Sequence, residues 1–229
     1  MIVLLPLGAT EAHGPHLPLD TDTRIASLLA RRCAERLSRR APARVAEPFV
    51  DTCASFAASF PGTISADPHD ERKRLVDAAE GLLRQGAGGV VLVNLHFDPG
   101  HLRAVREAML DLQPGASGRV VFPDFTRRAH AAAIGGEFAT GACHGGEFET
   151  SLMLVAAPDL VGSEFRSLPR LPVDLAAAIR AGKTSFREVG MDRAYCGDPA
   201  RATAEEGERL LGVLCEIVEK ACGDLAALR

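Results

Sequence analysis

The sequence predicts an α/β fold, a three-layer α/β/α arrangement built on a mostly parallel sheet. Three observations predict it. Strand-like and helix-like segments alternate along the chain. One strand-like run, "GGVVLVNL", is continuous Val and Leu at its centre, as a parallel strand buried on both faces requires. Polar clusters fall just past the ends of such runs, where open α/β sheets bind ligands. The 229 residues suit one domain, 1–229, with a core of useful size.

The elements follow in order. "IVLLPL" is a short apolar run and reads as a buried strand. "TRIASLLARRCAERLSRR" sets Ile25, Leu28, Leu29, Cys33 and Leu37 on one helical face and ends in basic residues, which favour a helix C-terminus. "ARVAEPF" is a second strand. "DPHDERKRLVDAAEGLLRQG" opens with Asp67-Pro68, an N-cap and first-turn pair, and stops at Gly86. After "GGVVLVNL", the segment "PGHLRAVREAMLDLQ" is a helix and "RVVF" a strand. The Pro- and Gly-punctuated region from Pro169 to Asp198 is expected to loop over the sheet ends. In the last segment, Thr203 and Glu206 match a capping box, and Leu210, Leu211, Leu214, Ile217 and Val218 form the apolar stripe of a packing helix.

Composition excludes some classes. The formal net charge is −4, so no basic face is implied, and nucleic acid and anionic membrane are not expected partners. No apolar run has the length of a membrane span. The opening "MIVLLPLGATE" lacks the basic start of a signal peptide, so a cytoplasmic protein is expected. The six cysteines are scattered without a CxxC pair and read as core thiols in a reduced compartment.

Chemistry concentrates in three clusters. In "LGATEAHGPHLPLDTDTR", Glu11 and His13 are one residue apart, so on extended chain they point the same way. Asp22 follows a Gly-Pro and Leu-Pro loop that can fold it back. A carboxylate, an imidazole and a second carboxylate suit Zn²⁺, Mn²⁺ or Fe²⁺. Alone, the stretch reads equally as a polar loop in which Asp20 or Asp22 caps the next helix. The second cluster, "NLHFDPGH", repeats the spacing with His96 and Asp98. Asp98 is as well placed to cap the helix at Pro99 as to bind metal. The third, "CHGGEFETSLML", sets His144, Glu147 and Glu149 at a helix start, where the dipole favours one acid but does not account for the His-Gly-Gly before it. Three His-plus-carboxylate clusters at element ends supply enough ligands for two metals bridged by one carboxylate, with a hydroxide held between them. This points to metal-assisted hydrolysis. Cys143 beside His144 offers an alternative nucleophile, which a metal hydroxide makes unnecessary.

These segments resemble the creatininase (creatinine amidohydrolase) family. The resemblance rests on "PLGATEAHGPHLPLDTDT", "FPGTIS", "VVLVNLH", "HGGEFETSLML" and "GDPARATAEEGERL", which run in the family's order over nearly the whole chain. It implies a creatininase-like layered fold, two divalent metal ions per chain and a homo-oligomer, often a hexamer. It also implies hydrolysis of C–N bonds in small cyclic or linear amides. By position, Glu11 and His96 would bind one metal, His13 the other, and Asp22 would bridge them. Glu149 or Asp98 would complete the second site. His144 would act as general acid or oxyanion partner, and Asp98 or Glu147 would take the proton of the attacking water.

The chain also departs from the family pattern. The usual "NGHGGN" reads "NLHFDPGH", Ala57 stands where many members have a His before "FPGT", and Trp is absent. These differences count against creatinine ring opening and weaken assignment to the formamide deformylase of deazaflavin synthesis or to the mycofactocin peptidase, both of which stay as alternative readings. The differences imply a subgroup with its own substrate. The competing readings are a single-metal lyase or isomerase and a non-catalytic, ligand-binding member.

Overall fold

The computed structural model describes residues 1–116, 118–141, 144–223 and 225. Its centre is a four-stranded sheet of order β2-β1-β3-β4 with every pair parallel. The strands are β1 (Ile2–Leu7), β2 (Ala43–Val45), β3 (Gly89–Asn94) and β4 (Val120–Val121). The helices are α1 (Thr21–Leu37), α2 (Pro68–Arg84), α3 (Pro99–Asp111), α4 (Arg128–Ile134), α5 (Gly136–Ala139), α6 (Glu147–Ala156), α7 (Leu175–Arg180) and α8 (Ala204–Ala221).

The continuous apolar strands have the expected cause. All six residues of β1 and all six of β3 are buried, because helices cover both faces. Alternate side chains serve opposite layers. Ile2, Leu4, Val91 and Val93 pack with α1, α6 and α8, whereas Val3, Leu5, Leu7, Val90 and Leu92 pack with α2 and α3. The result is the expected three-layer arrangement.

The two edge strands are shorter than the sequence suggests. β2 ends at Val45, but its chain continues beside β1. Ala46 and Phe49 donate their amides to Leu4 and Pro6, while Pro48 has no amide to donate. "RVVF" keeps only Val120 and Val121 in the ladder. The caps match their sequence signals. Asp67 accepts from the amides of His69 and Asp70, and Thr203 from the amide of Glu206. The region from Pro169 to Asp198 is not wholly loop. It holds α7, capped by Asp174, which accepts from the Ala177 amide.

No helix among the described residues is long and apolar enough to cross a membrane. Cys33 and Cys215 meet between α1 and α8, with their sulfurs 3.1 Å apart in the core.

The crossing of α6 and α8 depends on one glycine. A Cβ on Gly207 would lie 2.2 Å from the Ser151 carbonyl oxygen, a backbone atom that cannot rotate away. Helix propensity alone favours Ala over Gly by about 1 kcal/mol. Gly207→Ala should nonetheless lower the urea midpoint, because the helices must separate. An equal or higher midpoint would show that the crossing is not tight.

Candidate metal centre

Register places the centre. Leu7 pairs with Asn94, so β1 and β3 end at the same level and release their polar segments side by side. The first segment turns back on itself: the Glu11 amide donates to the Leu19 carbonyl, which returns the chain to the strand end as α1 begins. Gly8 permits the approach. A Cβ there would lie 2.5 Å from the Thr23 Cα. This contact sets the first turn of α1, with Asp22, against the end of β1. Asp22 is buried there and caps nothing. Asp20 occupies the cap position, makes no cap bond and pairs with Arg24. From the third segment, the Gly145 amide donates to Glu149 Oε2 over 2.6 Å, which folds the acid in toward the histidines.

Glu11, His13, Asp22, His96 and Glu149 thereby converge, each almost wholly buried. Asp22 divides its oxygens. Oδ1 is 3.0 Å from His13 Nε2, and Oδ2 is 2.9 Å from His96 Nδ1. Glu11 Oε1 is 3.0 Å from the same His96 nitrogen. Glu149 Oε2 is 3.5 Å from His13 Nε2. Two donor triads result, Glu11–Asp22–His96 and His13–Asp22–Glu149, and a third group joins Glu11, His13 and His144.

The far nitrogens fix the tautomers. His13 Nδ1 faces the Glu11 carbonyl at 3.1 Å, His96 Nε2 the Cys53 carbonyl at 2.7 Å, and His144 Nε2 the Ala12 carbonyl at 2.8 Å. A carbonyl only accepts, so each of these nitrogens carries the hydrogen. The opposite nitrogens of His13 and His96 then point lone pairs at carboxylate oxygens. These two nitrogens, both Asp22 oxygens and Glu11 Oε2 are buried without a hydrogen bond. Lone pairs cannot face lone pairs unrelieved in the interior, so each ring meets its carboxylates either protonated or across a metal ion. Two donors each about 2.1 Å from one ion lie roughly 3–3.5 Å apart, so the spacings and the donor set both fit divalent metal.

Electrostatics point the same way. Burial opposes protonation of His13, but Asp22, Glu149 and Glu11 outweigh it and lift the ring to about 10. Burial would raise Asp22, yet His13 and His96 hold it well below the usual carboxylate range. Burial pushes Glu149 up to about 8 and raises Glu11, the latter tempered by His96. The pocket attracts positive charge. His144 is the exception. Burial and then the neighbouring His13 hold it well below its ordinary value, so it stands neutral with Nδ1 as a free acceptor.

The remaining sequence candidates separate. Asp98 is in none of the three donor groups. It caps α3 by accepting from the Gly100 amide and also accepts from the Phe56 amide and the Ser55 hydroxyl. It still lines the cavity beside the centre. Glu147 does not reach that cavity. It faces a separate hollow near Arg201, 3.7 Å away, so its position does not support a proton-acceptor role. His16 sits against Thr150 of α6, and His101 against Asn94 behind His96. Cys143 lies outside the described residues.

The cavity holds about 330 Å³. Glu11, His144 and Glu149 form its floor, and Phe56, Phe97, Phe186 and Leu102 its walls. The His144 ring lies between those of His13 and Phe186, with centroids 4.3 and 4.2 Å away. α7 adds Leu175, Ile179 and the exposed Arg180 at the rim. The sequence did not mark α7 or Phe186 as part of the site, because apolar residues in a loop-like stretch carry no spacing signal.

The family model described as creatininase, creatinine amidohydrolase, matches residues 1–222. The mycofactocin precursor peptide peptidase of Mycobacterium ulcerans (strain Agy99) is 34% identical over 223 residues, 93% of this chain and 81% of its own. The creatinine amidohydrolase of Pseudomonas putida is 29% identical over 218 residues, 82% of each chain. A crystal structure of creatinine amidohydrolase (creatininase) matches with a TM-score of 0.71 at 26% identity, covering 97% of this chain and 89% of that one. Matching creatininase structures include forms described as Zn-Zn type, with a TM-score of 0.71, and Mn, with 0.67.

If the orphaned atoms are ligands, Zn²⁺ or Mn²⁺ at about 100 times its Kd should stabilise the fold by about 2.7 kcal/mol, seen as a higher Tm. Asp22→Ala should lose that shift. A native Tm indifferent to both ions would show that the cluster does not bind them.

Proposed function

The chain belongs to the creatininase family of hydrolases, and from that premise we propose that it cleaves an amide C–N bond at a centre of two divalent ions. The observation that carries the proposal is the division of Asp22's two oxygens between separate donor triads on the floor of a cavity. In this reading Glu11 and His96 hold one ion, His13 and Glu149 the other, and Asp22 both. Glu149 is chosen over Asp98 because Asp98 already accepts hydrogen bonds at both oxygens. Bound ions would supply a Lewis acid for the amide oxygen and ease ionisation of a water. Zinc and manganese are the ions first to test, since creatininases have been solved in forms described by those metals.

The chain's own groups do the rest. His144 is neutral, is held by the Ala12 carbonyl, and presents Nδ1 to the floor of the cavity. It takes the proton of the attacking water at Nδ1 and returns it to the departing nitrogen. The ring cannot turn freely, because His13 and Phe186 flank it. The phenylalanine walls exclude bulk water and seat an apolar part of the substrate. Arg180, with no ion pair among the described residues, stands ready for an anionic group. Together with the peptide peptidase relative, these walls favour a short peptide or similar linear amide over creatinine.

Mass spectrometry on protein purified without chelator or affinity-column metal should find close to two divalent ions per chain, and neither in Asp22→Asn. Protein that neither carries nor takes up metal would overturn the reading in favour of a non-catalytic member. His144→Gln should lower kcat by roughly 10²–10⁴ on whichever amide is turned over, with metal content unchanged. Turnover within threefold of native would remove His144 from the proton path.

A further inference from the structure

Glu71 is a carboxylate with no exposed surface, on the apolar stripe of α2 shared with Leu75, Ala79 and Leu83. A leucine would fill that place at no desolvation cost. Its hydrogen bonds show what the acid does instead. Oε2 accepts from the Cys53 amide over 2.7 Å, and the carbonyl of the same residue receives the His96 ring N–H. Oε1 meets His101 Nδ1, whose other nitrogen lies 2.9 Å from Asn94 Oδ1. Asn94 in turn grips the His96 backbone twice. Oδ1 accepts from the His96 amide, and Nδ2 donates to the His96 carbonyl. Two chains of hydrogen bonds therefore leave one carboxylate and end on one histidine. The first sets the ring angle through Cys53, and the second sets the backbone through His101 and Asn94.

We propose that Glu71 is a positioning residue for His96. It touches neither the cavity nor any donor atom of the centre, and acts on the ligand nitrogen only through these two chains. The proposal rests on the metal-centre reading above. A ring turned even slightly moves Nδ1 away from the point shared by Glu11 and Asp22, and such orienting partners commonly govern 10–100-fold in metal affinity.

The test is Co²⁺ and Zn²⁺ affinity by chelator competition, with the Co²⁺ absorption bands as a reporter of ligand geometry and the Tm of chelator-treated protein as a control for folding. Glu71→Leu should bind metal about 10–100-fold more weakly, with altered bands. Glu71→Gln should stay within about threefold of native. Its amide oxygen can take the Cys53 N–H and its amide N–H can meet His101 Nδ1, so every contact survives. If Glu71→Leu does not fold, His101→Phe interrupts the second chain at similar volume and is expected to bind metal more weakly too. Native affinity in a folded Glu71→Leu or His101→Phe protein overturns the proposal and leaves the metal centre standing. So does an equal loss in Glu71→Gln. A native protein that binds neither ion overturns both readings.

Discussion

A buried aspartate whose two oxygens receive no hydrogen bond is costly unless positive charge stands beside it. Asp22 is in that position, with imidazole nitrogens about 3 Å from each oxygen. Backbone carbonyls hold the other nitrogen of each ring, so both rings stay aimed at Asp22 and meet it either protonated or across a metal ion. Much of the local architecture serves this arrangement. Gly8 removes the side chain that would hold α1 away. The Gly145 amide points Glu149 inward, and the parallel pairing of β1 with β3 delivers Glu11, His13 and His96 to one place.

The layers give that arrangement its stiffness. α1, which carries Asp22, packs with α6, which carries Glu149, and both pack on α8. α2 and α3 hold the opposite face and carry the Glu71 and His101 side chains behind His96. The donors are thus fixed from both sides of the sheet. Part of the cavity wall comes from a third apolar group, in which Phe56, Leu175, Phe186 and Met191 pack together. Most of this wall stands apart from the donors around Asp22, whereas Phe186 also packs on the His144 ring and so joins wall to floor.

Much of this was legible in the sequence. Continuous Val and Leu mark β1 and β3, because burial on both faces leaves no alternation. The helices announced themselves through Asp67, Asp98 and Thr203 at their starts. Glu11, His13, Asp22, His96 and Glu149 stood out because acids and imidazoles one residue apart after an apolar run are unusual in a plain loop. Other features were hidden. Nothing local separates the cap role of Asp98 from a ligand role; only its partners Phe56 and Ser55, far away in sequence, do so. Glu147 and Glu149 look equivalent, yet two residues on a helix turn them to opposite sides. Glu71 resembles a dipole-favoured acid of a first helical turn. The one clue to its burial was its spacing of four from Leu75 and eight from Ala79. The edge strands were overestimated because burial pattern cannot say how many partners a strand finds.

The pairing of Ile2 with Gly89 also bears on how the molecule is made. Its central ladder joins β1 to a strand that follows it by two helices, and the last donor of the cluster lies on α6. Contacts this distant in sequence slow folding, since the entropy of closing the intervening chain is lost before the contacts form. During synthesis, β1 can pair with β2 and pack against α1, but its other edge stays open until β3 emerges. The donor cluster cannot close until residue 149 has left the ribosome. Half-made chains therefore show an open strand edge and an incomplete donor cluster, the kind of surface on which partly folded chains associate.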